Sequence, residues 1–262
     1  MISEQYTCLE VSGNTDICVP DTFYVRHGKR ILDIVIASLC VIISLPINIL
    51  LAIITFFDVG RPIFFRQKRI GKEYRPFTIV KFRNMRNDVD GDGFLLPPRQ
   101  RVTKIGRVIR ASSLDELLQF WNIILGHMSV IGPRPLKPSY VEIFNSRHKM
   151  RYAVRPGLEC PILGILGHPR TWNDQFENDI WYVEHISLKT DLLLMLHLVR
   201  MVFDRKYAKL RSGAIRGTFI GYRDGIAISE VLSDKDRMER KIRSLEKRYQ
   251  ELYSDDIEKE GT

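Results

Sequence analysis

From Ile31 to Phe57 the chain runs for 27 residues with one charged side chain, Asp33, and one proline, Pro46. As a helix this run is ~40 Å long, against ~30 Å for the hydrocarbon core of a bilayer. It therefore crosses a membrane, enters one and returns, or forms the buried heart of a soluble domain. Pro46 lies near its middle, where it removes a backbone donor and crowds the carbonyl of Ile42. Ser44 and Asn48 flank the proline, and their side chains can satisfy the freed groups. Both ends are basic: Arg26, Lys29 and Arg30 precede the run, and Arg61, Arg66, Lys68 and Arg69 follow it. Such charges favour the cytoplasmic side. A helix broken at Pro46 keeps both ends there, since each half reaches only ~22 Å. A kinked span and a buried soluble helix stay open as alternatives.

Net charge in the 262 residues is +9, and it is concentrated. Residues 61 to 110 hold 14 Lys and Arg against 4 Asp and Glu, a surplus of 10 that accounts for the whole excess. A basic block next to an apolar run suits anionic lipid or a phosphorylated substrate. The four cysteines, Cys8, Cys18, Cys40 and Cys160, form no Cys-x-x-Cys pair, so a zinc or disulfide framework is not expected. Residues 1 to 25 read as a poorly specified polar tail, without the basic start and apolar centre of a signal peptide.

Beyond the run, residues 61 to 84 read as short extended pieces and turns, and 87 to 100 as loop. The Asp88, Asp90, Asp92 spacing lacks the glutamate that a calcium loop needs. Apolar Leu114, Leu117, Leu118, Trp121 and Ile124 predict a helix from Ser113 to about Leu125, ended by Gly126. Further helices are predicted near Tyr140, over 172–186, and over 188–204. The last is too short and charged to span, and has the character of an interfacial helix. Around 228–254 the steps from Met238 through Ile242, Leu245, Tyr249 and Leu252 follow a coiled-coil pattern over two heptads. This suggests self-association or a partner, or a solvated tail.

The chemistry concentrates between residues 81 and 135. Asp115 and Glu116 are adjacent acids at a predicted helix start, and Ser113 with Glu116 fits a capping box. On that reading alone the acids only cap a helix. On the functional reading one carboxylate attacks phosphorus and its neighbour holds Mg2+ together with substrate phosphates. Lys81, Arg83, Arg110 and Arg134 supply cations suited to a diphosphate, and Arg134 sits in a rigid Gly132-Pro-Arg-Pro135 turn.

Seven ordered stretches then resemble the bacterial sugar transferase family, the monotopic phosphoglycosyl transferases. They are Lys29-Arg30-Ile-Leu-Asp33, Gly60 to Gln67, Lys81-Phe-Arg-Asn-Met85, Arg110 to Asn122, Gly132 to Pro135, Val154-Arg-Pro-Gly157, and Asp179 to Val183 with Ser187 to Asp191. The resemblance covers about Lys29 to Phe203. It implies an α+β, predominantly helical fold: a re-entrant membrane helix broken at Ser44 and Pro46, and a cytosolic catalytic domain with interfacial amphipathic helices. The implied layout is a tail over 1–28, the membrane helix over 29–58, the catalytic domain over 59–205 and an extension over 206–262. It implies transfer of sugar-1-phosphate from a nucleoside-diphosphate sugar, UDP-linked, to polyprenyl phosphate at the cytosolic face of the bacterial inner membrane. Asp115 takes the nucleophile's place and Glu116 that of its Mg2+-linked partner. Lys81, Arg83, Arg110, Arg134 and Asp191 take substrate-binding places.

Two departures stand out. Gly126-His127-Met128-Ser129 replaces the usual Gly-Asp-Met-Ser, and residues 158–170 depart from the usual run after Arg-Pro-Gly. They leave a catalytically weak membrane scaffold as the alternative function. A nucleic-acid binder is not expected, because aromatic-basic sheet motifs are lacking.

Overall fold

The computed structural model describes residues 6–11, 15–161, 171–203 and 217–230. The chain divides into two compact units, Met1–Ala214 and Ile215–Thr262.

The first unit begins with an antiparallel hairpin of β1 (Tyr6–Val11) and β2 (Thr15–Pro20), where the sequence suggested only a loose tail. A π-turn, Tyr24–Gly28, runs directly into α1 (Lys29–Val59). Gly60, at φ 77°, ends α1 by donating its N–H to Phe56 O at 3.1 Å. Pro46 lies inside α1. Beside it, Ser44 Oγ donates to Val41 O at 3.3 Å, and Asn48 Nδ2 donates to Ser44 Oγ at 3.3 Å. This is the local polar compensation expected around a helical proline in a bilayer.

The most apolar window of α1 is only 17% buried, whereas the core helix of a soluble domain is mostly buried. Ile42 is 71% exposed, and Ile43, Leu45, Ile49 and Leu50 are also exposed. Apolar surface this continuous marks an interaction face, and α1 is long and apolar enough to cross a membrane. Its two ends meet the same body. Ala37 packs with Ile123, Ile131 and Tyr182, while Leu51 packs with Phe82 and Ile109.

That body is mostly helical, with small sheets. β3 (Phe64–Ile70) and β4 (Pro76–Phe82) pair antiparallel, which makes the expected extended pieces a hairpin. α2 (Pro98–Arg101) and α3 (Lys104–Ala111) follow, with Thr103 capping α3 through the N–H of Gly106 at 2.8 Å. The single helix expected from Ser113 is divided instead. Leu114–Glu116 is one 3-10 turn, and α4 spans Gln119–Ile124. Ser113 is left-handed, at φ 59°, and makes no capping bond. An N-cap residue takes an extended conformation, and the left-handed Ser113 does not, so the predicted capping box does not form. Gly126, at φ 88°, follows α4 as expected.

β5 (Ser129–Ile131) pairs in parallel with β6 (Gly157–Glu159), a sheet of three-residue strands with no sequence signature. Between them, the helix expected near Tyr140 is a 3-10 turn, Pro138–Tyr140, followed by the four-residue α5 (Ser146–Lys149). α6 (Trp172–Glu184) and α7 (Leu188–Phe203) form as predicted. Thr171 and Asp174 make the capping box that Ser113 does not. α7 buries Asp191 and Leu194 while Leu192, Leu193, Leu196 and Val199 remain exposed, so its outer face is apolar.

In the second unit, β7 (Thr218–Arg223) and β8 (Ile226–Glu230) form a hairpin around Asp224 and Gly225, both at positive φ. Asp-Gly between apolar strands is the expected sequence for such a turn. Residues 228–230 of the predicted coiled-coil helix therefore belong to a strand, and its remainder lies outside the described residues.

Candidate active site

Three chain segments converge on Glu116. β4 brings Lys81, whose Nζ lies 2.5 Å from Glu116 Oε1. The turn after β5 brings Arg134, whose Nη2 donates to the same oxygen at 2.6 Å. The 3-10 turn supplies Glu116 itself, with Asp115 beside it and only 7% exposed. Asn84, two residues past β4, donates from Nδ2 to Asp115 Oδ2 at 3.3 Å.

The position of Arg134 follows from two glycines. A Cβ on Gly157 would lie 2.1 Å from Gly132 N, and one on Gly132 would lie 2.6 Å from Arg155 O. The Gly-Pro-Arg-Pro turn and the Arg-Pro-Gly turn thus interlock by backbone contact that only glycine permits. Gly157 donates its N–H to Pro133 O at 3.1 Å, and Ser129 donates its N–H to Pro156 O at 2.8 Å. Arg151 completes the frame. It is nearly fully buried, donating from Nη2 to Arg134 O at 2.7 Å and pairing with Asp179 at 2.8 Å. Arg134 Nη1 donates to Leu158 O at 2.8 Å and meets Glu159 at 3.3 Å.

The electrostatics divide the two acids. Burial opposes ionisation of Glu116, but Arg134 and Lys81 together outweigh it and hold the carboxyl at about 2. Burial, reinforced by the Glu116 charge, pushes Asp115 above the usual aspartate value, against the opposing pull of Lys81 and Arg110. Burial lowers Lys81, and Glu116 only partly restores it. Arg134 is held more firmly protonated, chiefly by Glu116. The two acids thus differ: Glu116 is held ionised between two cations, while the ionised form of Asp115 is disfavoured by burial and by its neighbour's charge.

Of the residues singled out by sequence, Lys81, Asp115, Glu116 and Arg134 come together. Arg110 is exposed at the end of α3, near enough to Asp115 to act through charge. Arg83 is placed differently. It is buried, with Nη1 on Pro62 O at 2.8 Å and Nη2 on Met85 O at 3.3 Å, and so braces backbone. Asp191 lies in a separate buried network. It accepts from Lys29 Nζ at 2.8 Å, from Tyr182 at 2.7 Å and from the Tyr24 hydroxyl. His127 lies 3.3 Å from Asn122 Oδ1 and stacks on Phe77. Asn84 and Glu159 were not foreseen. Asn84 stands inside the quoted Lys-Phe-Arg-Asn-Met stretch, whereas nothing local marks Glu159, which arrives through the β5–β6 pairing.

A family model described as bacterial sugar transferase matches residues 24–205. The uncharacterised sugar transferase EpsL of Bacillus subtilis is 36% identical over 176 residues, covering 66% of this chain and 86% of that protein. The UDP-glucose:undecaprenyl-phosphate glucose-1-phosphate transferase of Caulobacter vibrioides is 35% identical over 181 residues, covering 65% and 68%. The UDP-N-acetylgalactosamine-undecaprenyl-phosphate N-acetylgalactosaminephosphotransferase of Aeromonas hydrophila is 33% identical over 182 residues. The match covers 66% of this chain but only 43% of that longer protein.

Proposed function

The chain belongs to the bacterial sugar transferase family, and on that premise we propose that it transfers a sugar-1-phosphate from a UDP-linked sugar to undecaprenyl phosphate, the opening step of glycan assembly. The observation that carries the reading is a buried Asp115 beside a Glu116 clamped between Lys81 and Arg134. An Asp115 oxygen attacks the sugar-linked phosphorus. The bond from phosphorus to the nucleoside phosphate breaks, and nucleoside monophosphate departs with the electron pair. An oxygen of the lipid phosphate then attacks the same phosphorus and releases Asp115 as carboxylate. Lys81 and Arg134, with Arg110 at the rim, neutralise the charge that develops on the phosphoryl oxygens.

The residues fit Mg2+. Both cations engage Oε1 of Glu116, which leaves Oε2 for a metal. Among the described residues no cluster of three or more His, Cys, Asp or Glu forms an all-protein cage. Mg2+ is commonly held by one or two carboxylates plus substrate phosphates, and bound there it supplies charge neutralisation for the transferring group.

The lipid acceptor requires the site to stand at a bilayer surface. Contacts of α1 with the body on both sides of Pro46, at Ala37 and at Leu51, support a re-entrant helix with the body on the cytosolic side, while α1 itself runs unbroken from Lys29 to Val59. The outward apolar face of α7 suits the interface. Asp115→Asn tests the reaction. With a nucleotide sugar labelled in the sugar phosphate, the unaltered protein acquires label and the variant acquires none. Normal turnover by Asp115→Asn refutes the role. EDTA abolishes turnover and Mg2+ restores it.

A further inference from the structure

The stretch Lys29-Arg30-Ile-Leu-Asp33 opens α1, and no step of the reaction above uses it. Each of its charged members grips a different part of the body. Arg30 donates from Nη1 to Ile123 O at 2.6 Å and from Nη2 to Ile124 O at 2.8 Å. These are carbonyls at the C-terminal end of α4, where intrahelical partners run out and a cation is favoured. Asp33, 2% exposed, accepts the N–H of Val130 at 3.0 Å and lies 2.9 Å from the Ser129 hydroxyl. Lys29 donates to Ile131 O at 3.2 Å and to Asp191 Oδ2 at 2.8 Å.

These grips fall on the two halves of the site. α4 follows the turn that carries Asp115 and Glu116, and β5 runs straight into Gly132-Pro133-Arg134. Neither element fixes itself. α4 has six residues, too few to hold a helix by its own hydrogen bonds, and β5 has three. The start of α1, Lys29 to Asp33, is bonded to both.

We propose that Lys29, Arg30 and Asp33 are positioning residues that set the separation of the acid pair from Arg134, so that the active geometry depends on how the membrane helix is seated. This rests on the acid-pair reading given above. Misplacing reacting groups by ~1 Å costs about 100-fold in rate, and the Glu116–Arg134 contact of 2.6 Å is the distance at stake.

The test uses the full chain in detergent, with Mg2+, undecaprenyl phosphate and the nucleotide sugar that releases monophosphate. Arg30→Gln removes the charge and the two-pronged grip while leaving the acid pair and its cations untouched. The expected kcat falls about 10-fold or more, with donor KM within about twofold, because the ligand groups remain and only their alignment is lost. Arg30→Lys, which keeps the charge on a single nitrogen in place of the two-pronged grip, recovers kcat only in part. A folded Arg30→Gln with unaltered kcat overturns the proposal, as does a Lys variant no better than Gln. If Arg30→Gln does not fold, Asp33→Asn carries the same kcat and KM reading, and an unaltered kcat there overturns it equally. Asp115→Asn is run in parallel. Turnover by that variant removes the acid-pair reading, whereas an inactive Asp115→Asn beside a fully active Arg30→Gln removes only the positioning role.

Discussion

Replacing Glu116 by Gln removes one negative charge from between two cations, and its effect on stability can be worked from the carboxyl's depressed pKa. Glu116 falls from 4.5 to about 2 on folding. At ~1.4 kcal/mol per unit, the ionised group favours the folded state by about 3 kcal/mol at pH 7. A lowered carboxylate contributes this stability above its unfolded value and loses it as pH falls through the folded value. At pH 3 the same linkage leaves about 1 kcal/mol, so more than half is lost between pH 7 and pH 3. Gln approximates the protonated acid, so the gap between the two proteins should follow that curve. For a unit of this size ~1 kcal/mol moves the midpoint by ~2–4 °C. Thermal unfolding of the full chain in detergent should therefore show Glu116→Gln about 6–12 °C below the parent at pH 7, and about 2–4 °C below it at pH 3. A gap under ~2 °C at pH 7, or one equally large at both pH values, refutes the picture of Glu116 as a clamped counter-ion.

Two further perturbations probe the frame around the pair. Gly157→Ala places a methyl carbon 2.1 Å from Gly132 N, where only backbone can yield; the interlocked turns should separate and activity vanish, with circular dichroism and turnover as the checks. Arg151→Met strips a buried Asp179 of its ion pair at 2.8 Å and should destabilise by about 3–5 kcal/mol, while Arg151→Met with Asp179→Leu recovers most of that loss in the same unfolding assay.

Membrane attachment was legible in the sequence because length, hydropathy and flanking charge act locally. Residues 31–57 needed no tertiary partner to be read as a membrane helix. The helices over 172–186 and 188–204 were legible for the same reason. The helix start at Ser113 was misread because a Ser-x-x-Glu pattern speaks only to local hydrogen bonding. Here the surrounding fold takes Glu116 away from the cap and gives it to Lys81 and Arg134, and Ser113 turns left-handed. The hairpin at Asp224-Gly225 had its turn signal in plain view, but apolar spacing farther along drew the reading toward a helix. β5, β6 and the arrival of Glu159 had no local signal at all. Their pairing is set by a glycine contact between positions 25 apart, Gly132 and Gly157.

That long-range contact also bears on the Mg2+ proposed above, because it sets which cations Glu116 and Glu159 already hold. Within the cluster, Glu116 already satisfies Lys81 and one edge of Arg134, while Leu158 O and Glu159 take the other edge. Three carboxylates, Asp115, Glu116 and Glu159, thus stand against two directly paired cations, with Arg110 and Arg69 near enough to act through charge. A bare diphosphate entering this set adds negative charge to a site whose cations are already committed, in surroundings too buried for water to screen the repulsion. A diphosphate accompanied by Mg2+ brings its own neutralisation. It also offers Glu116 a new partner, so that Arg134 and Lys81 can turn from carboxylate to phosphate oxygen without either being left unpaired. Mg2+ and nucleotide should accordingly bind with strong mutual dependence. Calorimetric titration of UDP with and without Mg2+ reads that coupling, and equal affinity in the two cases would contradict it.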